Sequence, residues 1–235
     1  LLAGVGLLRT CEGTPATPKL VAVVCDRSTS ATCDEATVGG AVRAFVNANP
    51  PPGSAIEIYV TGCDLPDVEK VYEVVVPPPG PGMAARRKKW REGEDGRLAS
   101  LRLSARRPCS GIAAGVFKAA VRLHEQDRVD RVLIVVSDLR EVSSVGNLEK
   151  RVPTPKKFVE SLRREGLLAN LAGVQVLTCG VHDRATPDVP RWTAAKSRAL
   201  RAAWTVAFAA MGAPNAPLRE TCAWTESIVP APVVR

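Results

Sequence analysis

The chain has 235 residues, 46% of them hydrophobic and 24% charged, which is a globular composition and excludes a disordered or fibrous protein. This length suits one large domain, and no apolar run approaches the roughly 20 residues that span a bilayer. The formal net charge of +8 is appreciable, and the way the basic residues cluster matters more than their sum.

The N-terminal stretch LLAGVGLLRTCEG contains an apolar run that ends just before Cys11. It resembles the end of a bacterial lipoprotein signal, in which Cys11 would carry the lipid and attach the protein to a membrane. Arg9 and Thr10 depart from the small residues of that signal. We interpret residues 1–17 as a signal remnant or an N-terminal extension packed on the domain, and residues 18–235 as the domain itself.

Strand-like and helix-like segments alternate after this point. Residues 19–25, 54–61 and 68–77 are rich in β-branched side chains and predict three strands. Between the first two strands, apolar residues recur at helical spacing, and the Pro-rich run at 50–53 ends the predicted helix.

A Pro- and Gly-rich break at 77–82 leads into a segment dense in Arg and Lys. This segment, 83–107, predicts either an exposed helix or a partly ordered loop, and we interpret about 78–108 as a basic insertion. Its densest part, 86–91, would suit nucleic acid or an anionic membrane surface. A charge run of this kind is more often a solvated face, so no nucleic-acid partner is expected.

The second half of the chain repeats the alternation. We predict a helix at 110–126, a strand at 128–138, a helix after the N-cap Thr154, a strand at 173–181, a helix within 188–212 and a last strand at 219–225. Trp192 and Trp204 are expected to pack in the core. Continuous apolar strands separated by helices predict a three-layer, doubly wound α/β domain with a mainly parallel sheet and helices on both faces.

Two acidic residues stand where such a sheet binds ligands. Asp26 and Asp138 each follow a buried strand, and doubly wound sheets bind ligands at the carboxyl ends of strands, near the point where the strand order reverses. Asp26 opens the run Asp26-Arg27-Ser28-Thr29-Ser30, whose alternate residues offer one carboxylate and two hydroxyls. Hard oxygens favour Mg²⁺, Mn²⁺ or Ca²⁺ over zinc. The sequence therefore predicts an oxygen-rich metal site at this edge.

The set resembles the metal-ion-dependent adhesion site of von Willebrand factor type A domains. The family's first motif, D-x-S-x-S, is complete at residues 26–30, and Ser110 in PCSGIAAG stands where the family has a Thr that opens a helix. Asp138 in VLIVVSDLRE stands for the third element, usually T-D-G, with Leu139 in place of the Gly. The resemblance spans about residues 18–225, and the Leu139 change is expected to alter the loop without removing a ligand.

Membership of this family would imply a bound Mg²⁺ or Mn²⁺. Ser28, Ser30 and Ser110 would coordinate the ion directly, while Asp26 and Asp138 would act directly or through water. An acidic side chain of a protein partner would complete the octahedron. The expected function is a cation-dependent protein-binding module, of the adhesion or scaffold type, and not an enzyme.

Two other functions stay open at this point. A domain of this fold can serve as a metal-free scaffold. A Mg²⁺-dependent hydrolase would use Asp26 and Asp138 with a general base, for which the sequence offers only His182 or Asp183.

Four arginines flank the motif positions, namely Arg27, Arg106, Arg107 and Arg140. They would either ring the metal and attract an acidic group, or form surface ion pairs. The nearby acidic residues for the second arrangement are Asp34, Glu35 and Glu141.

The chain has seven cysteines. With Cys11 set aside as a lipid site an even number remains, which suits disulfides in an extracytoplasmic protein, whereas a cytoplasmic protein would keep its thiols reduced. Cys25 and Cys179 lie in apolar strands, which is typical of free buried thiols. For an exported protein, the predicted bridge is Cys33–Cys63, with Cys109 as the alternative partner for either.

Overall fold

Strands and helices alternate along the chain, as the apolar pattern predicts. The computed structural model describes residues 17–31, 33–103, 105–126, 129–181, 192–222 and 224. The strands are β1 (Lys19–Cys25), β2 (Ala55–Val60), β3 (Glu69–Val75), β4 (Asp130–Val136), β5 (Val142–Ser143), β6 (Gly146–Asn147) and β7 (Val174–Cys179). The helices are α1 (Glu35–Asn47), α2 (Met83–Ser100), α3 (Ile112–His124), α4 (Pro155–Arg164) and α5 (Ala194–Ala210), with a short 3₁₀ helix at Leu65–Asp67.

Five strands form one sheet in the order β3-β2-β1-β4-β7. β1 is parallel to both β2 and β4, and β4 is parallel to β7. β3 runs antiparallel to β2 at one edge of the sheet. Because the chain moves from β1 to one side and later returns to its other side as β4, the strand order reverses between β1 and β4.

Helices cover both faces of this sheet, so the predicted three-layer, doubly wound α/β fold is confirmed. Alternate residues of β1 point to opposite faces, with Val21 and Val23 on the α1 side and Ala22 and Val24 on the α3 side. α3, α4 and α5 pack on the second face, and α3 comes very close to β1 at Gly115. A Cβ at Gly115 would lie 2.6 Å from Val24 Cγ1, so a side chain there would push the helix off the sheet.

The basic segment forms a regular helix, α2, which decides between the two predicted alternatives. Most of its side chains are exposed, and Glu94 is its buried residue. Glu94 accepts a hydrogen bond of 2.9 Å from the Tyr72 hydroxyl of β3 and pairs with Arg97. Trp90 and Leu98 add apolar contact with the α1 side of the core. α2 is thus attached along one stripe and presents its basic residues to solvent.

The structure differs from the sequence prediction at the end of the described chain. Residues 219–222 and 224 form no strand, and only an isolated bridge joins Thr178 to Leu218. The predicted last strand is therefore wrong over these residues, because backbone hydrogen bonds join Pro217 and Arg219 to Thr178 and Val181 but do not continue as a ladder. Pro155 begins α4 as predicted, although in the described structure the Thr154 side chain makes no capping hydrogen bond.

Three disulfides join Cys25 to Cys33, Cys63 to Cys109 and Cys179 to Cys222. The predicted Cys33–Cys63 bridge is wrong, since Cys33 turns back to the end of its own strand. The alternative, Cys109 as the partner of Cys63, is confirmed. The prediction that Cys25 and Cys179 are free thiols is also wrong, because each ends a strand at the rim where a second cysteine arrives. All three bonds lie at the carboxyl end of the parallel strands.

No helix among the described residues combines the length and the apolar character that a membrane span requires.

Candidate functional site

The predicted site residues lie at the carboxyl ends of β1 and β4, where the strand order reverses. The backbone N–H of Asp26 donates to the Val136 carbonyl at 3.0 Å, which continues the β1–β4 ladder one residue beyond the strand. Asp138 follows two residues after the end of β4. The sheet therefore delivers two carboxylates to one rim, as the sequence predicts.

The first loop folds around the side chain of Asp26. Asp26 Oδ1 accepts a hydrogen bond of 2.9 Å from the backbone N–H of Ser28, a local turn that Asp favours because its side chain reaches the second following amide. The turn brings Ser28 Oγ within 3.4 Å of Ser30 Oγ. The Cys25–Cys33 disulfide closes the loop at its base. Both serines are buried, so their hydroxyls face protein and not bulk solvent.

Ser110 is fixed by its own backbone and by its neighbour Gly111. Its N–H and carbonyl both pair with Val142, at 3.0 and 2.9 Å. Gly111 donates to the Gly62 carbonyl at 2.7 Å, and a Cβ at Gly111 would lie 2.7 Å from the Cys63 carbonyl oxygen. The fully buried Ser110 Oγ has no hydrogen-bond partner among the described residues. An unpaired buried hydroxyl is unusual and calls for an explanation.

The Asp26 carboxylate is the common neighbour of the site residues. The pKa of Asp26 is raised to about 6, chiefly by burial and next by the nearby Asp138 carboxylate. A 2.7 Å hydrogen bond from the Ser137 hydroxyl to Asp26 Oδ2 and the bond from Ser28 N–H act in the opposite direction. The Ser110 hydroxyl adds a weaker lowering effect, although its geometry falls short of a hydrogen bond.

Asp138 forms a buried ion pair with Arg140. The distance from Arg140 Nε to Asp138 Oδ2 is 3.3 Å, and the two side chains are 2% and 1% exposed. Arg140 also donates its backbone N–H to Asp138 Oδ1 at 3.1 Å. The guanidinium lies over the Trp192 ring, 4.7 Å from its centroid. A positive charge of the protein is therefore already beside one of the two predicted carboxylate ligands.

Leu139 holds the turn between Asp138 and Arg140 in the left-handed region. Its φ is 64°, a conformation that favours glycine. The Leu139 side chain is fully buried, and its carbonyl accepts a 2.9 Å hydrogen bond from Trp204 Nε1. Packing and this hydrogen bond offset the cost of the backbone conformation, so the loop keeps the turn without glycine.

Glu141 is a buried carboxyl that the sequence prediction placed at the surface. The pKa of Glu141 is raised to about 8, chiefly by burial, against the lowering effect of hydrogen bonds from the Ser143 hydroxyl and from the backbone N–H of Ala113 in the first turn of α3. The Asp26 carboxylate adds to the rise. Glu141 thus ties the loop after β4 to the start of α3, next to Ser110.

The donor set fits a hard divalent cation. Asp26 contacts Ser28 and influences Ser110 and Asp138, while Ser28 lies beside Ser30, so the five predicted ligands form one cluster. Two of its buried oxygens, Ser110 Oγ and Asp138 Oδ2, lack hydrogen-bond partners among the described residues. Within the same described ranges, no three His, Cys, Asp or Glu side chains form a metal-binding group. A cation here would therefore depend on the serine hydroxyls.

The four flanking arginines do not form the predicted ring. Arg140 is buried in the cluster, and Arg27 is buried and donates to the Cys33 carbonyl at 3.0 Å. Arg106 donates to the Thr29 carbonyl, and Arg107 lies 3.9 Å from Asp67. The alternative, surface ion pairs with the neighbouring acidic residues, is wrong for Glu141, because Glu141 is buried and hydrogen-bonded elsewhere.

Sequence reasoning missed Ser137, and neither of its two alternatives for Arg140, a ring around the metal or a surface ion pair with Glu141, placed these two residues in the buried positions they occupy. Their signal is the run Ser137-Asp138-Leu139-Arg140-Glu141 directly after an apolar strand, a position at which polar side chains turn back over the rim. The predicted lipid site Cys11 and the two candidate bases, His182 and Asp183, lie outside the described residues.

Several solved structures are similar to this chain at low sequence identity. An aerotolerance-related membrane protein from Bacteroides fragilis is 13% identical, with 89% of this chain and 94% of that chain covered and a TM-score of 0.39. The conserved hypothetical protein BatB from Bacteroides thetaiotaomicron is 14% identical, with 87% and 91% covered and a TM-score of 0.40. The pilus adhesin SpaC from Lactobacillus rhamnosus GG is 12% identical over 91% of this chain, with a TM-score of 0.51.

The likeness to the adhesin supports the α/β fold and nothing beyond the fold. This chain spans only 29% of the adhesin's length. No protein-family model matches the sequence, and none of the curated proteins matches it.

Proposed function

We propose that the domain binds an acidic group of a protein partner through Mg²⁺ or Mn²⁺ held by Asp26, Ser28, Ser30, Ser110 and Asp138. The observation that carries the proposal is Ser110 Oγ, a fully buried hydroxyl without a hydrogen-bond partner among the described residues. Leaving a buried polar group unpaired costs about 1–3 kcal/mol. A hard cation beside Asp26 would use that oxygen and neutralise the carboxylates at the same time.

The chain's own residues hold this donor set in place. Ser137 and the Ser28 amide each donate to one oxygen of Asp26, which fixes the carboxylate plane. The bonds Cys25–Cys33 and Cys63–Cys109 anchor the loops that carry the serines. When bound, the cation would supply an open coordination position for a carboxylate. Rigid loops favour such binding because little conformational entropy is lost on association.

Calorimetric titration with Mg²⁺ and Mn²⁺ tests the metal. We expect one site, and we expect Asp26→Ala to abolish it, because this change removes both a ligand and half of the carboxylate charge. The control is Asp95→Ala, which removes an exposed carboxylate on α2, away from the cluster. An unchanged titration curve in the Asp26→Ala variant would place the ion elsewhere.

The partner is tested by affinity capture with and without a chelator. We expect the chelator to release the bound protein and Ser28→Ala or Ser110→Ala to weaken capture while the fold is kept. Mn²⁺ should support tighter binding than Mg²⁺, which gives up its water reluctantly. Capture should also weaken as salt rises if charge steers the partner.

A metal-free scaffold is the second candidate, and the Asp138–Arg140 pair favours it. The guanidinium already neutralises one carboxylate of the cluster. This candidate predicts no heat on titration with either ion, and partner capture that survives the chelator.

We also propose that the domain works in an oxidising, extracytoplasmic compartment, with membrane attachment through a lipid on Cys11. The three disulfides support the compartment, because structural disulfides persist under oxidising conditions and are rare in the cytosol. Mass spectrometry of the protein from its native source, without reductant, tests both points. Six free thiols and an unmodified Cys11 would contradict them.

A further inference from the structure

We propose that Arg140 is an internal counter-ion that competes with the divalent cation for Asp138, so that cation binding has to displace its guanidinium. The inference rests on the proposed metal site and states how that site is regulated. In the absence of metal, Arg140 would neutralise the charge of Asp138 and keep the loop folded. In its presence, Arg140 would limit the affinity for the ion.

The first support is that Arg140 contacts both oxygens of the carboxylate that a cation would use. Its Nε lies 3.3 Å from Asp138 Oδ2, and its backbone N–H donates to Asp138 Oδ1 at 3.1 Å. Both side chains are almost completely buried, so solvent screens the attraction little. A dication approaching Asp138 therefore meets a nearby positive charge that water does not shield.

The second support is that the Asp138–Arg140 pair is incompletely hydrogen-bonded. At 3.3 Å the Nε–Oδ2 contact does not qualify as a hydrogen bond, and Asp138 Oδ2 and Arg140 Nη1 have no hydrogen-bond partner among the described residues. Elsewhere in the domain, Arg122 Nε donates to the buried Glu57 Oε1 at 2.9 Å. The Asp138–Arg140 pair is thus looser than the partly exposed Arg122–Glu57 pair, and a competing ion loses less by breaking it.

The third support is that the Arg140 guanidinium has a second stabilising contact, with an aromatic ring. It lies 4.7 Å from the centroid of the Trp192 ring, and an aromatic face stabilises a guanidinium even after its carboxylate partner is lost. Arg140 therefore keeps a favourable contact with the ring when Asp138 turns to a cation.

The experiment compares Mn²⁺ affinity in the wild-type protein, in Arg140→Met and in Arg140→Lys, by calorimetry on the folded chain. We expect Arg140→Met to bind Mn²⁺ about tenfold more tightly or better, because a neighbouring positive charge has been removed. Arg140→Lys keeps the positive charge and should therefore bind Mn²⁺ more weakly than Arg140→Met does. Arg122→Gln is the matched control, since it alters the other buried pair and should leave Mn²⁺ affinity unchanged.

Thermal unfolding gives an independent readout. A ligand that binds only the folded state raises its stability in proportion to the logarithm of its concentration over its dissociation constant. The Mn²⁺-induced rise in melting temperature should therefore be larger in Arg140→Met than in the wild type. If Arg140→Met folds only when Mn²⁺ is present, the ion has replaced the guanidinium, which also supports the inference. If neither Arg140→Met nor Arg140→Gln folds at any Mn²⁺ concentration, the inference is overturned.

The outcomes separate this inference from the proposed function. Equal Mn²⁺ affinity in the wild type and Arg140→Met overturns the competition and leaves the metal site standing. Binding by Arg140→Met without binding by the wild type supports the competition and overturns metal binding as the natural function. Absence of Mn²⁺ binding in all variants overturns both.

Discussion

Among the described residues, two of the arginine–carboxylate pairs have an almost completely buried carboxylate, and their hydrogen bonding differs. In the middle of β2, Glu57 is fully buried and accepts hydrogen bonds from the Tyr59 hydroxyl and from Arg122 Nε, with Lys70 Nζ at 3.8 Å. At the carboxyl end of β4, Asp138 faces Arg140 at 3.3 Å in a contact that is not a hydrogen bond. We call the first the Glu57 cluster. The second, together with the neighbouring Asp26, Ser28, Ser30 and Ser110, we call the Asp138 cluster.

The difference separates a buried carboxylate whose oxygens are hydrogen-bonded from one whose oxygens are only partly hydrogen-bonded. The oxygens of the Glu57 cluster have donors, and such a network stabilises the strand that carries it. The Asp138 cluster contains two unpaired oxygens, Ser110 Oγ and Asp138 Oδ2, together with the unpaired Arg140 Nη1. Buried polar groups are costly when unpaired, so the second cluster is the one in which an added ion would be stabilising.

The largest effect is expected from breaking the Glu57 cluster. Glu57→Ala leaves the Tyr59 hydroxyl and Arg122 without their acceptor, and removing one member of a buried charge pair costs about 3–5 kcal/mol. Urea denaturation followed by circular dichroism measures the free energy of unfolding. A loss below about 1 kcal/mol would show that the cluster contributes little to the fold.

Removing the Cys25–Cys33 disulfide should loosen the Asp138 cluster and leave the Glu57 cluster intact. With a sequence separation of 8, loop-closure entropy predicts a loss of about 2.5 kcal/mol in the Cys25→Ala/Cys33→Ala variant. We expect the same variant to bind Mn²⁺ more weakly, because the Ser28 and Ser30 hydroxyls are no longer held together. Unchanged metal affinity with the stability loss would show that the loop keeps its shape without the bond.

The next prediction concerns pH and the carboxyl of Glu141. Its pKa is raised to about 8 in the folded protein, so the protonated form is favoured by folding. This contribution to stability is complete below the unfolded value of about 4.5 and is lost as pH rises through about 8, with a slope of at most about 1.4 kcal/mol per pH unit. Glu141→Gln should flatten the free energy of unfolding between pH 5 and 8, as measured by denaturant titrations at several pH values. Parallel curves for the two proteins would contradict this.

The smallest effect is expected from an exposed ion pair beside the Glu57 cluster. Glu125 pairs with Arg122 at 3.1 Å, but its side chain is 57% exposed, and surface ion pairs contribute about 0–1 kcal/mol. We expect Glu125→Ala to change the free energy of unfolding by less than about 0.5 kcal/mol in the same urea assay. A larger loss would mean that Glu125 orients Arg122 toward Glu57.

Much of the fold was predictable because periodicity and strand composition are local properties. Continuous apolar strands such as β1 and β4 predicted a parallel sheet, and the rule for its carboxyl ends predicted that Asp26 and Asp138 would meet. Ser110 was predictable only through the resemblance of the motif set. Its place depends on the close approach of Gly111 to Gly62 and Cys63, which spacing along the chain does not reveal.

The errors have physical reasons as well. The left-handed turn at Leu139 carries Arg140 and Glu141 inward, and a sequence rule reads charged residues in a loop as exposed. Cys25 is fully buried, which is typical of free thiols and disulfides alike, so burial alone does not distinguish them. The pairing of Cys63 with Cys109 depends on where the loop before α3 crosses the end of β2, a long-range contact that no local pattern encodes.

The spacing of the three disulfides also has a consequence for the order of oxidative folding. Cys25 and Cys33 are separated by 8 positions, whereas the other two pairs are separated by 46 and 43. Closing a short loop costs less entropy, so we expect the Cys25–Cys33 bond to form while the chain is still largely unstructured. The other two bonds need β2 or β7 to be in place before their cysteines meet. The loop with the D-x-S-x-S motif would then be shaped before the sheet that later surrounds it.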